Sequence, residues 1–153
     1  MPKDVHTAMV RLKGNQDFGS SNMNQRFLAQ VLADGSYDEA ADRFRKRYLR
    51  KRDVLLQSLR EFWPQDTEIL YPYGGLYVWV RLPGIATGPG TPFFNAVLAE
   101  KVLYVPGDYC FCENTQLARP DNAMRLCYGV IDLEPMREAV RRMGLVIQKI
   151  RGA

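Results

Sequence analysis

Residues 76–82, Leu-Tyr-Val-Trp-Val-Arg-Leu, alternate aliphatic side chains with Tyr, Trp and Arg. This period of two is typical of a β-strand that buries one face and exposes the other. Working outward, Glu68–Tyr71 predicts a short strand, and the Pro-Tyr-Gly-Gly sequence at 72–75 predicts the turn that joins the two. Further strands are predicted at Val102–Val105 and Met124–Gly129. The middle of the chain therefore predicts a small sheet.

Segments with a helical spacing of apolar residues flank and interrupt these strands. The second predicted helix is expected to bury four side chains: Phe27, Leu28, Val31 and Leu32. We predict an α+β fold, in which a small, mostly antiparallel sheet has helices packed on one side and is preceded by N-terminal helices. The predicted helices are residues 2–14, 25–34, 36–62, 92–98 and a last helix that begins after Asp132 and carries an apolar stripe to Ile150.

The composition is that of an ordinary soluble globular protein. The chain has 153 residues, 46% apolar and 25% charged, which suits one domain. No apolar run approaches the ~20 residues that span a bilayer, and no signal peptide precedes the first polar residues, so no membrane is expected. Three cysteines, an odd number, argue against a disulfide framework. The expected location is the cytoplasm.

Two compositional signals are expected to be structural. The basic run 43–52 is interleaved with the apolar stripe of the long predicted helix, so its charges are expected on the opposite, solvated face. With a net charge of only +4, nucleic-acid binding is therefore not expected. The three cysteines, Cys110, Cys112 and Cys127, and the single histidine, His6, match no common zinc spacing, so no metal site is predicted. The cysteines are expected to be small buried hydrophobic residues.

Arg125 is the residue that most directly suggests chemistry, because it interrupts the apolar strand 124–129. A guanidinium keeps its charge, and its five donors form a fork that matches a carboxylate. Placing it in a half-buried strand costs free energy unless an anion meets it. Arg125 is thus either a clamp for a ligand carboxylate, or an edge arginine that reaches water or pairs with a structural acid. The strand pattern alone favours the second interpretation.

Six motifs occur in order along nearly the whole chain: Ser-Ser-Asn-x-x-Gln at 20–25, Gly-Ser-Tyr-Asp at 35–38, Arg-x-x-Tyr-x-x-Lys-Arg-Asp at 45–53, Pro-x-Gly-Gly-Leu-Tyr-Val-Trp-Val at 72–80, Val-Leu-Tyr-Val-Pro-Gly at 102–107 and Asn-x-Met-Arg-Leu at 122–126. In this order and spacing the chain resembles the C-terminal part of fold-type I, class I/II, pyridoxal-phosphate-dependent aminotransferases. The branch it resembles includes 2-aminoadipate transaminases, valine–pyruvate transaminases and the aminotransferase-like half of MocR-type transcription regulators.

The resemblance reverses the preference at Arg125. It implies that this arginine, in the Asn-x-x-Arg-Leu position, clamps the α-carboxylate of amino-acid and 2-oxo-acid substrates. Residues 1–36 would be a helical segment that links to a large domain outside this chain, and residues 37–153 the small domain, treated as a single folded unit. The loop at 20–22 resembles one that approaches the neighbouring subunit's active site, in an enzyme that is a homodimer when complete: Ser20, Ser21 and Asn22.

The chain departs from the family in its lysines. The family's Schiff-base lysine lies upstream of the matched segment in a Ser-x-x-Lys motif, and none of the six lysines here stands in one: Lys3, Lys13, Lys46, Lys51, Lys101 and Lys149. The large domain's aspartate and phosphate-binding loop are also missing. The resemblance therefore implies a fragment without a catalytic residue, in which pyridoxal 5'-phosphate belongs to the complete enzyme and is not held by this chain alone. The alternatives are the effector-binding part of a MocR-type regulator and an unrelated basic α+β binding module.

Overall fold

The structure, a computed structural model, describes residues 1–19, 21–112 and 118–152. Two compact units are present, Met1–Phe44 and Arg45–Ala153, and helix α3 (Ser36–Phe62) contributes residues to both. The predicted domain division into residues 1–36 and 37–153 stays a prediction.

The first unit consists of α1 (Lys3–Asp17), α2 (Asn22–Ala33) and the start of α3. Helix α1 runs one turn beyond its predicted end at Gly14 and stops at Phe18, whose left-handed backbone (φ 49°) breaks the helix. The predicted burial along α2 is wrong, because none of its residues is buried and Phe27 is 70% exposed. A unit of this size is too small to enclose an apolar helix face by itself.

The second unit carries the sheet and the remaining helices. Its strands are β1 (Glu68–Leu70), β2 (Tyr77–Arg81), β3 (Val105–Pro106) and β4 (Ala123–Cys127), in the antiparallel order β1-β2-β4-β3. Its helices after α3 are α4 (Pro92–Ala99) and α5 (Leu133–Arg151). The predicted α+β class, with a small antiparallel sheet, is confirmed.

Strand β3 begins later than predicted. The prediction placed a strand at Val102–Val105, but only Val105 and Pro106 pair with β4. The reason is local: the Val102 backbone N–H donates to the carbonyl of Val97 at 3.1 Å, which ties this segment to the end of α4. The backbone N–H of Val102 is thereby used for the helix end and not for the ladder.

The core lies on one face of the sheet. Val78 and Val80 of β2 and Met124 and Leu126 of β4 are buried on that face, as alternation along a strand requires. The helices complete the same hydrophobic cluster with side chains at helical spacing: Leu55, Leu56 and Leu59 of α3, Phe93 and Val97 of α4, and Met136, Val140, Met143 and Ile147 of α5. The Trp63 indole joins α3 to α5 by donating from Nε1 to the Val140 carbonyl at 2.9 Å.

The cysteines lie on the surface. Their predicted burial is wrong, since Cys110, Cys112 and Cys127 are all exposed. Cys127 follows Leu126 in β4, and because successive side chains alternate, the core position of Leu126 places Cys127 on the other face.

Within the described ranges, no helix combines the length and apolar character needed to cross a bilayer.

Candidate functional site

The sheet face opposite the core carries the candidate site. Residues directly opposite one another on antiparallel strands share a face, and here Trp79 pairs with Arg125 and Tyr77 pairs with Cys127. Since Val78 and Leu126 between them point into the core, these four side chains lie together on the other face. We call the sheet face that carries Tyr77, Trp79, Arg125 and Cys127 the open face.

Arg125 lies over an aromatic ring on the open face. Its guanidinium carbon lies 4.3 Å from the centroid of the Tyr77 ring, within the range of a cation–π contact. Trp79, its cross-strand neighbour, makes an edge contact with Phe111, with ring centroids 6.1 Å apart. The arginine is half-buried, and its Nε is fully buried without a hydrogen-bond partner in the part of the chain that the structure describes.

This geometry bears on the two interpretations of Arg125. Strand β4 lies between β2 and β3, so the residue is not on an edge strand. Among the described residues no Asp or Glu forms an ion pair with it. A buried donor left unpaired costs about 1–3 kcal/mol, and in a native structure it calls for an explanation. The arrangement can accept an anion, because the charge is permanent, the side chain is half-buried and no described acidic side chain neutralises it.

A cavity of about 280 Å³ also borders Arg125. Its walls are mainly aliphatic and come from β4, α5 and the segment before β3, and Lys101 is the other charged residue on its lining. Aliphatic walls cannot accept a hydrogen bond from a guanidinium, and a second cation only adds like charge. The cavity therefore does not supply the partner that Nε lacks.

Strand β4 is anchored at both ends, which fixes the position of Arg125 between them. At its start, the Ala123 carbonyl accepts a hydrogen bond from Thr87 Oγ1 at 2.7 Å, and the backbone of Gly107 lies so close that an added Cβ would be 2.6 Å from that carbonyl oxygen. Just after its end, the Tyr128 hydroxyl donates to the Gly75 carbonyl at 2.7 Å. Burial raises the pKa of Tyr128, so its hydroxyl remains a donor at neutral pH.

Lys51 is a buried cation that the sequence analysis assigned to a solvated face. Its side chain is only 3% exposed, and Nζ donates to the carbonyls of Gly129 (3.3 Å) and Val130 (3.2 Å), in the turn that follows β4. The solvated-face prediction is therefore wrong at this position, although the basic residues at 43, 45, 46, 47 and 50 are exposed. The signal was present in the spacing, since Lys51 lies three residues after Tyr48 and four before Leu55 on the apolar stripe.

We expect Lys51→Met to lower the free energy of unfolding by about 1–3 kcal/mol, because it removes the charged donor from two carbonyls while keeping the apolar stem. Urea unfolding followed by circular dichroism measures the loss. Lys46→Met, an exposed lysine on the same helix, is the control and should stay within about 0.5 kcal/mol of the parent. Equal stability of the two variants would show that the Lys51 contacts are not stabilising.

The predicted loop at 20–22 is found only in part. Ser20 lies outside the described residues. Ser21 is the N-cap of α2, where its hydroxyl accepts a hydrogen bond from the Asn24 backbone N–H at 3.4 Å, and Asn22 is the first residue of that helix. These two residues belong to the first unit and Arg125 to the second. Their predicted role near a neighbouring active site stays a prediction.

Comparison with known proteins shows which proteins this chain is similar to. No protein-family model matches the sequence. The chain is 30% identical, over 140 residues and 92% of its length, to a 2-aminoadipate transaminase from Thermus thermophilus, of which it covers 34%. The crystal structure of an α-aminoadipate aminotransferase from the same species, complexed with N-(5'-phosphopyridoxyl)-L-leucine, matches with a TM-score of 0.82 at 28% identity, over 99% of this chain and 37% of that one. The chain is a homologue of the fold-type I aminotransferases.

This aminotransferase homologue spans about a third of the length of the curated relatives it matches. The predicted resemblance to the C-terminal part of these aminotransferases is thereby confirmed, and so is the prediction that this chain matches only part of their length. Transcription regulators match the same segment: an HTH-type regulator of Bacillus subtilis, YdfD, is 25% identical over 150 residues, which are 97% of this chain and 29% of the regulator. The segment is therefore shared by enzymes and regulators.

Proposed function

We propose that this chain is the C-terminal, small-domain part of a pyridoxal-phosphate-dependent aminotransferase, and that Arg125 binds the α-carboxylate of its amino-acid and 2-oxo-acid substrates. The observation that carries the proposal is the packing of the Arg125 guanidinium and its lack of a described polar partner. It is stacked on Tyr77, half-buried on the open face, and its Nε donates to no described residue. A substrate carboxylate would supply the counter-charge that no described residue provides.

The chemistry of this contact is positioning. Arg and carboxylate groups pair through two parallel N–H···O bonds, which fixes the orientation of the acid as well as its place. Partial burial strengthens the pair, because screening by water is reduced. With one end of the substrate fixed, its amino or oxo carbon is held in one place relative to the reacting group, which is a substantial part of enzymatic rate enhancement.

The cofactor is assigned to the rest of the enzyme. When bound there, pyridoxal 5'-phosphate would supply the electron sink for amino-group transfer. The residues of this chain do not fit it on their own: Lys51 is committed to two carbonyls, and the other five lysines are exposed. A large domain outside this chain would have to provide the lysine and the phosphate site, and the complete protein would be a cytoplasmic homodimer.

A regulator is the second candidate function. The match to YdfD over 97% of the chain favours it directly. In that case the same open face would bind an amino compound as an effector without turnover. A winged-helix domain encoded in frame upstream of this segment would distinguish the regulator from the enzyme.

We expect the complete protein to convert added pyridoxal 5'-phosphate to its amino form when an amino acid is supplied, and residues 1–153 alone to do neither this nor bind the cofactor tightly. Absorbance spectroscopy of both proteins, with cofactor and then with a panel of amino acids, measures the difference. A lysine-dependent absorption band of bound cofactor in residues 1–153 alone would contradict the proposal. A complete protein that binds amino acids and DNA without turnover would favour the regulator.

A further inference from the structure

We propose that Tyr77 is a positioning residue for Arg125: its ring holds the guanidinium on the open face without taking up the hydrogen bonds that a carboxylate would accept. The effect on ligand binding rests on the proposed function, whereas the contact between the two side chains does not. Tyr77 lies on β2 and Arg125 on β4. Tyr77 pairs directly with Cys127, which is two residues after Arg125, so Tyr77 and Arg125 are diagonal neighbours. Diagonal neighbours on adjacent strands are within reach of aromatic and long side chains.

The contact with Tyr77 does not use the hydrogen bonds that a carboxylate would accept. An arginine recognises a carboxylate through its N–H donors, whereas a cation–π contact attracts the charge to the face of an aromatic ring. The guanidinium carbon of Arg125 lies over the Tyr77 ring, 4.3 Å from its centroid. A tyrosine in this place can therefore restrain the cation without competing for the bonds that a ligand would accept.

Two other arginines also lie over aromatic rings, but both have polar partners. Arg52 lies over Tyr71 at 5.0 Å, but it also donates to Asp53 and to the Pro72 carbonyl. Arg137 lies over Phe62 at 4.8 Å and pairs with Glu61. Those two guanidinium groups are already fixed by polar partners. For Arg125, within the described residues, the ring of Tyr77 is the contact that restrains the charged group.

The ring of Tyr77, and not its hydroxyl, makes this contact. Tyr77 is 45% exposed, and among the described residues its hydroxyl has no hydrogen-bond partner. Phenylalanine should therefore replace it without loss, whereas an aliphatic side chain should not. A free arginine side chain populates many rotamers, so a restraint applied before binding reduces the conformational entropy that ligand binding must remove.

Nuclear magnetic resonance of residues 1–153 tests the contact without any ligand. We expect the Arg125 Nε–Hε resonance and its side-chain protons to carry a ring-current shift in the parent and in Tyr77→Phe, and to lose it in Tyr77→Leu. Tyr73→Leu is the matched control, because Tyr73 is 95% exposed and its ring contacts Tyr71. Unchanged Arg125 resonances in Tyr77→Leu would overturn the proposal. If Tyr77→Leu does not fold, Tyr77→Ile, which suits a strand better, takes its place.

Affinity in the complete protein tests the consequence. Tyr77→Leu should weaken binding of an amino-acid substrate by about two- to fivefold, with Tyr77→Phe unchanged, since a partly exposed cation–π contact has that value. If Arg125→Ala has no effect on affinity, the proposed function fails, and the resonance experiment still decides the contact. If Arg125→Ala weakens binding and Tyr77→Leu does not, the positioning role is overturned while the proposed function stands.

Discussion

Arg125→Ala in the complete protein is expected to weaken binding of amino-acid and 2-oxo-acid substrates by about 100-fold, because truncating one side of a desolvated, hydrogen-bonded charge pair costs several kcal/mol. The substrate would keep its carboxylate in a partly buried place without a partner. Arg125→Lys should recover only part of the loss, because an ammonium cannot form the two parallel bonds of the fork. Equilibrium binding or substrate dissociation constants from single-turnover kinetics measure both variants.

The control for this experiment lies on the same sheet face. Arg81 pairs with Ala123 across the strands, its side chain is 46% exposed, and it lies 3.8 Å from Glu68. Arg81→Ala removes one positive charge from the open face without touching the stacked guanidinium, so it should change affinity little. Equal effects of Arg81→Ala and Arg125→Ala would indicate a general loss of charge, and unchanged affinity in Arg125→Ala would remove the clamp.

Arg125→Met separates binding from folding. Methionine fills much of the same volume and has no donor that burial leaves unpaired, so the free energy of unfolding should be unchanged or higher in this variant. Substrate affinity should fall as it does in Arg125→Ala. This pattern, with stability kept and binding lost, is that of a residue retained for its ligand and not for its fold.

Gly144→Ala is expected to lower the free energy of unfolding by about 2–3 kcal/mol, as overpacking of a tight contact does. Gly144 is buried in α5, and a Cβ at this position would lie 2.5 Å from the Phe62 carbonyl oxygen and 3.3 Å from the Phe62 Cβ. The obstacle is backbone at the end of α3, so it cannot rotate away. Alanine favours a helix over glycine by about 1 kcal/mol, and the clash must exceed that gain for the net effect to be a loss.

Urea unfolding of the two helical glycine variants decides this prediction. Gly14→Ala is the control, since Gly14 also lies in a helix but has no heavy atom within 4 Å of the added Cβ. It should be neutral or slightly stabilising. A Gly144→Ala protein as stable as the parent would mean that α5 moves away from α3 without cost.

Local patterns predicted the elements that depend on local interactions. The alternation at 76–82 gave β2, and Thr91-Pro92 gave the start of α4, where the Thr91 hydroxyl accepts from the Phe94 N–H at 3.2 Å. Asp132 and the apolar stripe after it gave α5. In each case the decisive residues are neighbours along the chain.

The errors at Cys127 and Lys51 fall where the deciding contacts are distant in sequence. Cys127 was expected inside, but the face on which it lies follows from Leu126 packing toward the helices. Lys51 was assigned to solvent because of its charge, and its burial depends on two carbonyls 78 and 79 residues away. The stacking of Arg125 on Tyr77 depends on the register of β2 and β4, which no local motif specifies.

On the proposed function, Arg125 couples folding to ligand concentration. A carboxylate bound at its guanidinium would favour the native state over the unfolded chain, and such binding raises the melting temperature. Small organic acids could thus be ranked by how far they shift thermal denaturation, before any catalytic assay exists. The shift in melting temperature would then report how strongly each acid binds the native protein.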